Sequence, residues 1–384
     1  MTSFDLRNFN APSDHGGVPP PRSSMVCSLS LLALSVIGVL VKWLWKWLPS
    51  LLSKRSFRKD LVDDDVTHLP PYPCEPIKGR QKFHITMGLR KLDEYNWLTV
   101  DKNYMREHEV RLELLQNNRE NVIQYLPESY AACEELLEMV TDFLCSRFPT
   151  MFKMKKRGRE TEVHNLKTNE TFTFGGANPS MHPLEIAVRL TMEDLSVLMQ
   201  NTDGEYYLAA SATLFPVGWT VHRRIGFTLS QLHGPVPQWN EKIGRSVHKF
   251  MCRLTPKSPM ERSNYFLETR RTNEDLCTTL FRPDSLTEEE NGLCPGNVIL
   301  RRERQTFRRL PRTQALLFTV KTTLSPLDEL APEEVQNLAA EIVSWPEDMA
   351  KYKGRDVWGQ TVLEYAASLR DRGEKQTKLS DAMS

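Results

Sequence analysis

Apolar and polar positions follow different rhythms in successive parts of this chain. Residues 1–24 are polar, with Pro-Pro-Pro-Arg at 19–22, and cannot pack a core. Met25 to Val41 is an almost unbroken apolar run, and Lys42-Trp43-Leu44-Trp45-Lys46-Trp47-Leu48 then alternates indoles with ammonium groups. From Ser129 to Phe148, Leu136, Leu137, Val140, Phe143 and Leu144 recur at helical spacing, and Pro149 ends the run. The same test predicts a second helix over 184–199 and a third over 332–345, with Val335, Leu338, Ala339 and Ile342 on one face. Between 205 and 325 the rhythm changes. Tyr206–Phe215, Trp219–Arg224, Arg262–Arg271, Val298–Phe307 and Ala315–Thr323 are rich in aromatic and β-branched residues and are bounded by Gly and Pro, which predicts strands. The pattern as a whole is α+β, a mostly antiparallel sheet of about five strands with helices packed on it.

The apolar run divides the chain. With its Trp/Lys flank it reaches the length of a membrane span, placing the indoles at headgroup level, so 25–48 is expected to be a transmembrane helix. Lys42, Lys46, Lys54, Arg55, Arg58 and Lys59 follow the run, whereas only Arg7 and Arg22 precede it. The positive-inside rule therefore expects a single-pass protein, of the endoplasmic reticulum, with its C-terminal bulk in the cytoplasm. Residues 49–75, closing on Leu69-Pro70-Pro71-Tyr72-Pro73, are expected to be a linker, 76–372 the globular domain, and 373–384 a polar tail.

Composition narrows the chemistry. In 384 residues, 40% hydrophobic and 26% charged, there is ample material for one large core. A formal net charge of +1 gives no reason to expect a nucleic-acid partner. The seven cysteines are odd in number and lack the clustered spacing that zinc ribbons or iron–sulfur clusters require. Reduced thiols in a cytosol-facing domain fit this count. Cys252 and Cys294 leave a thiolate-ligated haem formally open, although neither sits in a recognisable thiolate loop.

Two segments carry candidate chemistry. Gln231-Leu232-His233-Gly234-Pro235-Val236-Pro237 sets a histidine beside two prolines, whose fixed backbone angles make the segment stiff. A stiff imidazole suits a metal or a haem iron, and equally a capped turn. His222, His248 and His84 are the rival histidines. In Arg301-Arg302-Glu303-Arg304-Gln305-Thr306-Phe307-Arg308-Arg309, strand alternation sends Arg302, Arg304, Thr306 and Arg308 to one face and Arg301, Glu303, Gln305, Phe307 and Arg309 to the other. The guanidinium-rich face could pair with carboxylates of a ligand, with an acidic partner, or with ordinary surface ions. Glu193 and Asp194, on the helix predicted there, would point about 100° apart and form no acid/base pair; one could orient a neighbouring chain. Trp219, Tyr265 and Phe307 read as pocket walls or plain core.

Taken in order, several segments resemble the haem-dependent oxidative N-demethylase family, typified by the haem subunit of bacterial dimethylamine monooxygenase. They are Phe83-His84-Ile85-Thr86-Met87-Gly88-Leu89; Asp93, Trp97-Leu98, Asp101 and Tyr104; Glu193-Asp194-Leu195; Phe215-Pro216-Val217-Gly218-Trp219; His233 to Pro237; Glu261-Arg262-Ser263-Asn264-Tyr265; Leu300 to Pro311; and Pro326-Leu327-Asp328-Glu329-Leu330. The resemblance implies a PAS-like haem-binding core, His233 as axial iron ligand, and Arg304 and Arg308 as residues for the haem propionates. It also implies a monooxygenase that uses O2 and external electrons to demethylate, or otherwise oxidise, a small amine or secondary metabolite. The carbinolamine formed would collapse to formaldehyde and the shorter amine. No Gly-rich nucleotide turn or cluster-binding cysteine set accompanies these segments, so electrons from NAD(P)H are expected through a separate reductase. The alternative is a PAS-like sensor that binds haem or another ligand without turnover.

Overall fold

The computed structural model describes residues 68–176, 179, 181–284 and 292–383. Its centre is a seven-stranded sheet in the order β1-β8-β9-β10-β6-β7-β2. The strands are β1 (Arg90–Lys91), β2 (Ile123–Tyr125), β6 (Asp194–Gln200), β7 (Tyr206–Ala212), β8 (Met260–Thr269), β9 (Val298–Arg309) and β10 (Leu316–Pro326). All neighbouring strands of this sheet pair antiparallel. A separate three-stranded sheet comprises β3 (Phe152–Arg157), β4 (Glu160–Asn165) and β5 (Glu170–Phe174). The α+β class and the antiparallel sheet agree with the sequence reading.

The long β9–β10 hairpin sets the frame. Its register pairs Phe307 with Phe318 and Arg304 with Lys321, so every second residue of β9 faces the same side as its partner on β10. Both sides of the sheet are covered. On one side Leu195, Val197, Ala210 and Leu317 pack with Leu136, Leu137 and Val140 of the Tyr130–Arg147 helix and with Ile186 and Leu190 of the Pro183–Leu190 helix. At the β8–β9 end of that same side, Leu267 and Leu300 pack with Val335, Leu338 and Ile342 of the Pro332–Val343 helix and with Trp358 of the Arg355–Met383 helix. The other side carries Leu198, Leu208, Phe307 and Leu316, covered by Trp239, Val247 and Met251 from 239–253.

Two expectations change. The helix read over 184–199 stops at Leu190, and Asp194–Gln200 is the strand between β7 and β10. This strand is buried on both faces, so its apolar residues run nearly continuously, and no period separates such a run from a buried helix. Trp219–Arg224 is not a strand: Gly218 turns the chain with φ +68°, and Arg224 and Ile225 donate their amides to the Val221 carbonyl in a tight turn. The polar tail from 373 carries the last helix onward to Met383. The end of the linker is docked as well, since the Lys102 amide donates to the Leu69 carbonyl at 2.9 Å and Tyr72 lies under the Arg304 guanidinium at 4.2 Å. The run at 25–48 lies outside the described residues, among which no helix is long and apolar enough to cross a membrane.

Candidate functional site

Thr228 and Gln231 form a reciprocal capping box that starts a one-turn helix, Leu229–Leu232, and His233 ends it. Both the His233 amide, at 3.1 Å, and its ring Nδ1, at 2.9 Å, reach the Leu229 carbonyl oxygen. A carbonyl only accepts, so Nδ1 carries the hydrogen and the neutral ring keeps its lone pair on Nε2. The ring stacks on Trp239, centroids 3.9 Å apart and planes 7° from parallel. Burial, first, and then the nearby Arg262 and Arg224 charges hold the imidazole pKa below its ordinary value, outweighing the Leu229 hydrogen bond. The result is a rigid, neutral imidazole with one fixed tautomer, which is the state an iron ligand requires.

His233 lines a cavity of about 440 Å³, within the roughly 300–1,000 Å³ range of cofactor pockets. The sheet supplies one wall through Ser196, Leu198, Gln305, Phe307, Phe318 and Val320, and Leu229, Val236, Trp239, Val247 and Met251 supply the facing wall. Polar groups gather on one flank, where Arg224, Arg262, Asn264, Glu303, Tyr352 and Lys353 line the same space. Arg262 has no ion-pair partner among the described residues, and its buried Nε lacks any hydrogen-bond acceptor. Arg224 reaches only the Leu232 carbonyl, at 3.4 Å, and lies over Trp219 at 4.9 Å. Burial lowers the pKa of both guanidinium groups. A smaller cavity, about 220 Å³, adjoins it and shares Phe83, His84, Arg262, Asn264, Glu303 and Lys353.

Apolar walls, one imidazole with a free lone pair and an orphaned guanidinium donor fit a flat, largely apolar dianion such as haem. Among the described residues no three His, Cys, Asp or Glu side chains cluster as a metal site, so iron would enter as part of such a group, held by one side chain.

The sheet separates the residues that the sequence put forward together. His233 is on the Phe307 side. Arg304 and Arg308 are on the other, where Arg304 donates through Nε to Glu261 at 2.8 Å and to the Trp97 carbonyl, its Nη2 lying 2.7 Å from the same carboxylate as an ion pair, and Arg308 pairs with Glu94 at 3.3 Å over the Trp97 ring. Arg304 also borders the smaller cavity; Arg308 borders neither. His84 lines both cavities but is exposed, and exposed His222 and His248 line neither. His248 is instead bonded through Nε2 to the Gly204 carbonyl. Cys252 and Cys294 are exposed and line neither cavity.

Glu193 and Asp194 are clamps. Glu193 accepts from the Thr99 amide and hydroxyl at 2.9 and 2.8 Å. Asp194 accepts from Arg111 at 3.0 Å and from the Leu214 and Phe215 amides at 3.1 and 3.0 Å, which fixes the loop that brings Phe215, Pro216 and Val217 to the cavity. Arg301, fully buried, holds the same loop by donating to the Phe215 carbonyl at 2.6 Å.

These clamps join segments far apart in the chain, and a family-wide pattern spans them all: the family model described as haem-dependent oxidative N-demethylase, alpha subunit-like, matches residues 88–363. The chain belongs to this family. The match runs from Gly88, just before β1, into the last helix, and so takes in the sheet, the His233 segment and the cationic flank. The family description points to haem-dependent oxidative chemistry. Arg224, Arg262 and Lys353 were not singled out from the sequence. Arg262 does stand in the family-like segment Glu261 to Tyr265, but its place opposite Gln305, on the face that Phe307 occupies, comes from the strand register.

Proposed function

We propose that this chain is a haem-dependent oxidase that removes an N-methyl group from, or otherwise oxidises, a small amine or secondary metabolite. The observation that carries the reading is the His233 imidazole, whose Nδ1–H is spent on Leu229 so that Nε2 is left for iron at the wall of a 440 Å³ apolar cavity. Nε2 of His233 would hold the iron. Arg262 and Arg224 would meet the propionates, a role given to them in place of Arg304 and Arg308 because those two are already engaged across the sheet. Trp239 keeps the imidazole from rotating, and the aromatic and aliphatic walls exclude water from the reacting amine. Bound haem supplies oxygen activation, with two electrons delivered from outside. NAD(P)H acting through a separate reductase is the donor this reading requires. An anchor at 25–48 with the domain on the cytoplasmic side, in the endoplasmic reticulum, would place it beside a membrane-bound donor; that part rests on the charge distribution of the sequence.

Titrating the full chain with haem tests this directly. A histidine-ligated Soret band is expected, lost or shifted in His233→Ala with the fold intact by circular dichroism, restored in part by imidazole, and kept in His84→Ala. With a reductase, an N-methyl amine should yield formaldehyde. No haem uptake would overturn the reading, and stable oxygen binding without donor-dependent oxygen consumption would make the protein a sensor.

A further inference from the structure

Lys353 follows the Glu347–Tyr352 helix, and its side chain lines both cavities. The amino head sits among three rings, with Nζ 4.6 Å from the centroid of Phe266, 4.8 Å from Tyr265 and 5.4 Å from Trp345. Its hydrogen bond goes to the Tyr265 carbonyl at 2.7 Å, and no carboxylate lies within ion-pair distance of it among the described residues. Lys321, across the sheet, is held by both Glu107 oxygens at 2.7 and 2.9 Å. A lysine with no ion-paired carboxylate, in a partly buried aromatic box open to two cavities, is placed as a nucleophile is placed rather than as a structural cation.

We propose that Lys353 is a covalent capture site for small aldehydes. The Nζ lone pair attacks the carbonyl carbon; the C–O π pair moves to oxygen, which takes a proton from the nitrogen and gives a carbinolamine. Loss of that hydroxyl with the remaining N–H proton, as water, leaves the imine. The balance is R–NH2 + CH2O → R–N=CH2 + H2O, with no change of oxidation state, and hydrolysis reverses it. Burial lowers the pKa of Lys353 to about 8; the Glu303 and Glu341 carboxylates oppose that shift, and the like charge of Arg262 adds to it. About one amine in ten is then neutral at pH 7, against roughly one in 2,500 for an ordinary lysine. The class of ligand rests on the oxidase reading, since N-demethylation releases formaldehyde into the cavity that Lys353 lines; the reactivity of the amine does not.

The two are separable by experiment. The full chain, apo and haem-loaded, is exposed to ¹³C-formaldehyde, reduced with cyanoborohydride and mapped by mass spectrometry. Lys353 should gain label at least ten-fold faster than exposed Lys155 and Lys249, with a rate midpoint near pH 8. Lys353→Arg should remove the fast phase while Lys155 and Lys249 label as before. If that variant fails to fold, the pH profile of the wild-type protein decides. Labelling no faster than the exposed lysines, a midpoint above 10, or complete protection by haem would overturn the proposal. A chain that takes up no haem yet labels rapidly at Lys353 would retire the oxidase reading and leave the reactive amine standing.

Discussion

The two faces of β9 differ less in how many cations they carry than in how those cations are matched. On the Arg304 face, Arg302 pairs with Glu334, Arg304 with Glu261, Arg308 with Glu94 and, one strand over, Lys321 with Glu107. On the Phe307 face Arg301 is matched by Glu268, but among the described residues Arg262 has no ion-paired carboxylate and Lys353, at the edge of the sheet, reaches only a carbonyl. Desolvating a charge costs several kcal/mol unless a partner offsets it, so a matched cation holds the fold together and an unmatched one is left for a ligand. A run of arginines in a sequence therefore does not locate a binding site; the missing carboxylates do.

The largest effect should come from breaking a matched pair. Lys321→Met strands the Glu107 carboxylate, already pushed toward protonation by burial, and should cost about 3 kcal/mol in urea denaturation. A loss under about 1 kcal/mol would make that pair no more important than a surface contact and erase the contrast. Next comes a crossed comparison. Arg262→Gln should leave apo stability unchanged or raise it, since an unpaired buried charge is removed, yet weaken haem binding about ten-fold, the size of one charge-assisted hydrogen bond. Arg304→Gln should do the reverse, losing stability and leaving haem affinity unchanged. Weaker haem binding in Arg304→Gln alone would return the propionates to the other face.

The third effect is a pH dependence on the structural side. His182 accepts from the Leu184 amide and stacks on Tyr125 at 3.5 Å, and burial, as the main cause, lowers its pKa to about 4. The fold prefers the neutral ring. As pH falls from about 6.5 toward 4 the unfolded chain takes up a proton that the folded chain refuses, so stability is complete above that window and declines through it. Allowing for the partial exposure of the ring, the loss should be about 1–2 kcal/mol. His182→Asn keeps a capping acceptor without titrating near neutrality and should flatten that limb of the stability–pH curve. An unchanged slope would assign the acid loss to other groups.

How far each element could be read from the chain follows from how local its cause is. The Tyr130–Arg147 helix and the β9–β10 hairpin were legible because their periods are clean and their ends carry breakers. β6 was not, since burial on both faces removes the alternation that would mark it. The pair Glu193-Asp194 was noticed as part of a family-like segment, but its use as two clamps depends on Thr99 and on Arg111 with the 214–215 amides. Lys353 carried no signal at all. It is one lysine after a short helix, and only packing against Tyr265, Phe266 and Trp345 sets it apart.

Residue order alone determined what depends on neighbours a few positions apart: the stiff His233 segment between its capping box and its prolines, the two alternating faces of β9, and the ordered set of segments by which the family is known. Which nitrogen of His233 is free, and which cations lack partners, was decided by the tertiary structure. The first turns on the orientation of a ring held by Leu229 and Trp239. The second turns on carboxylates contributed from afar, 43 residues away for Glu261 to Arg304 and 214 for Glu107 to Lys321. Charge is written in the chain, but its neutralisation is a property of distances in space, and those exist only once the sheet has closed and divided the cations between its two sides.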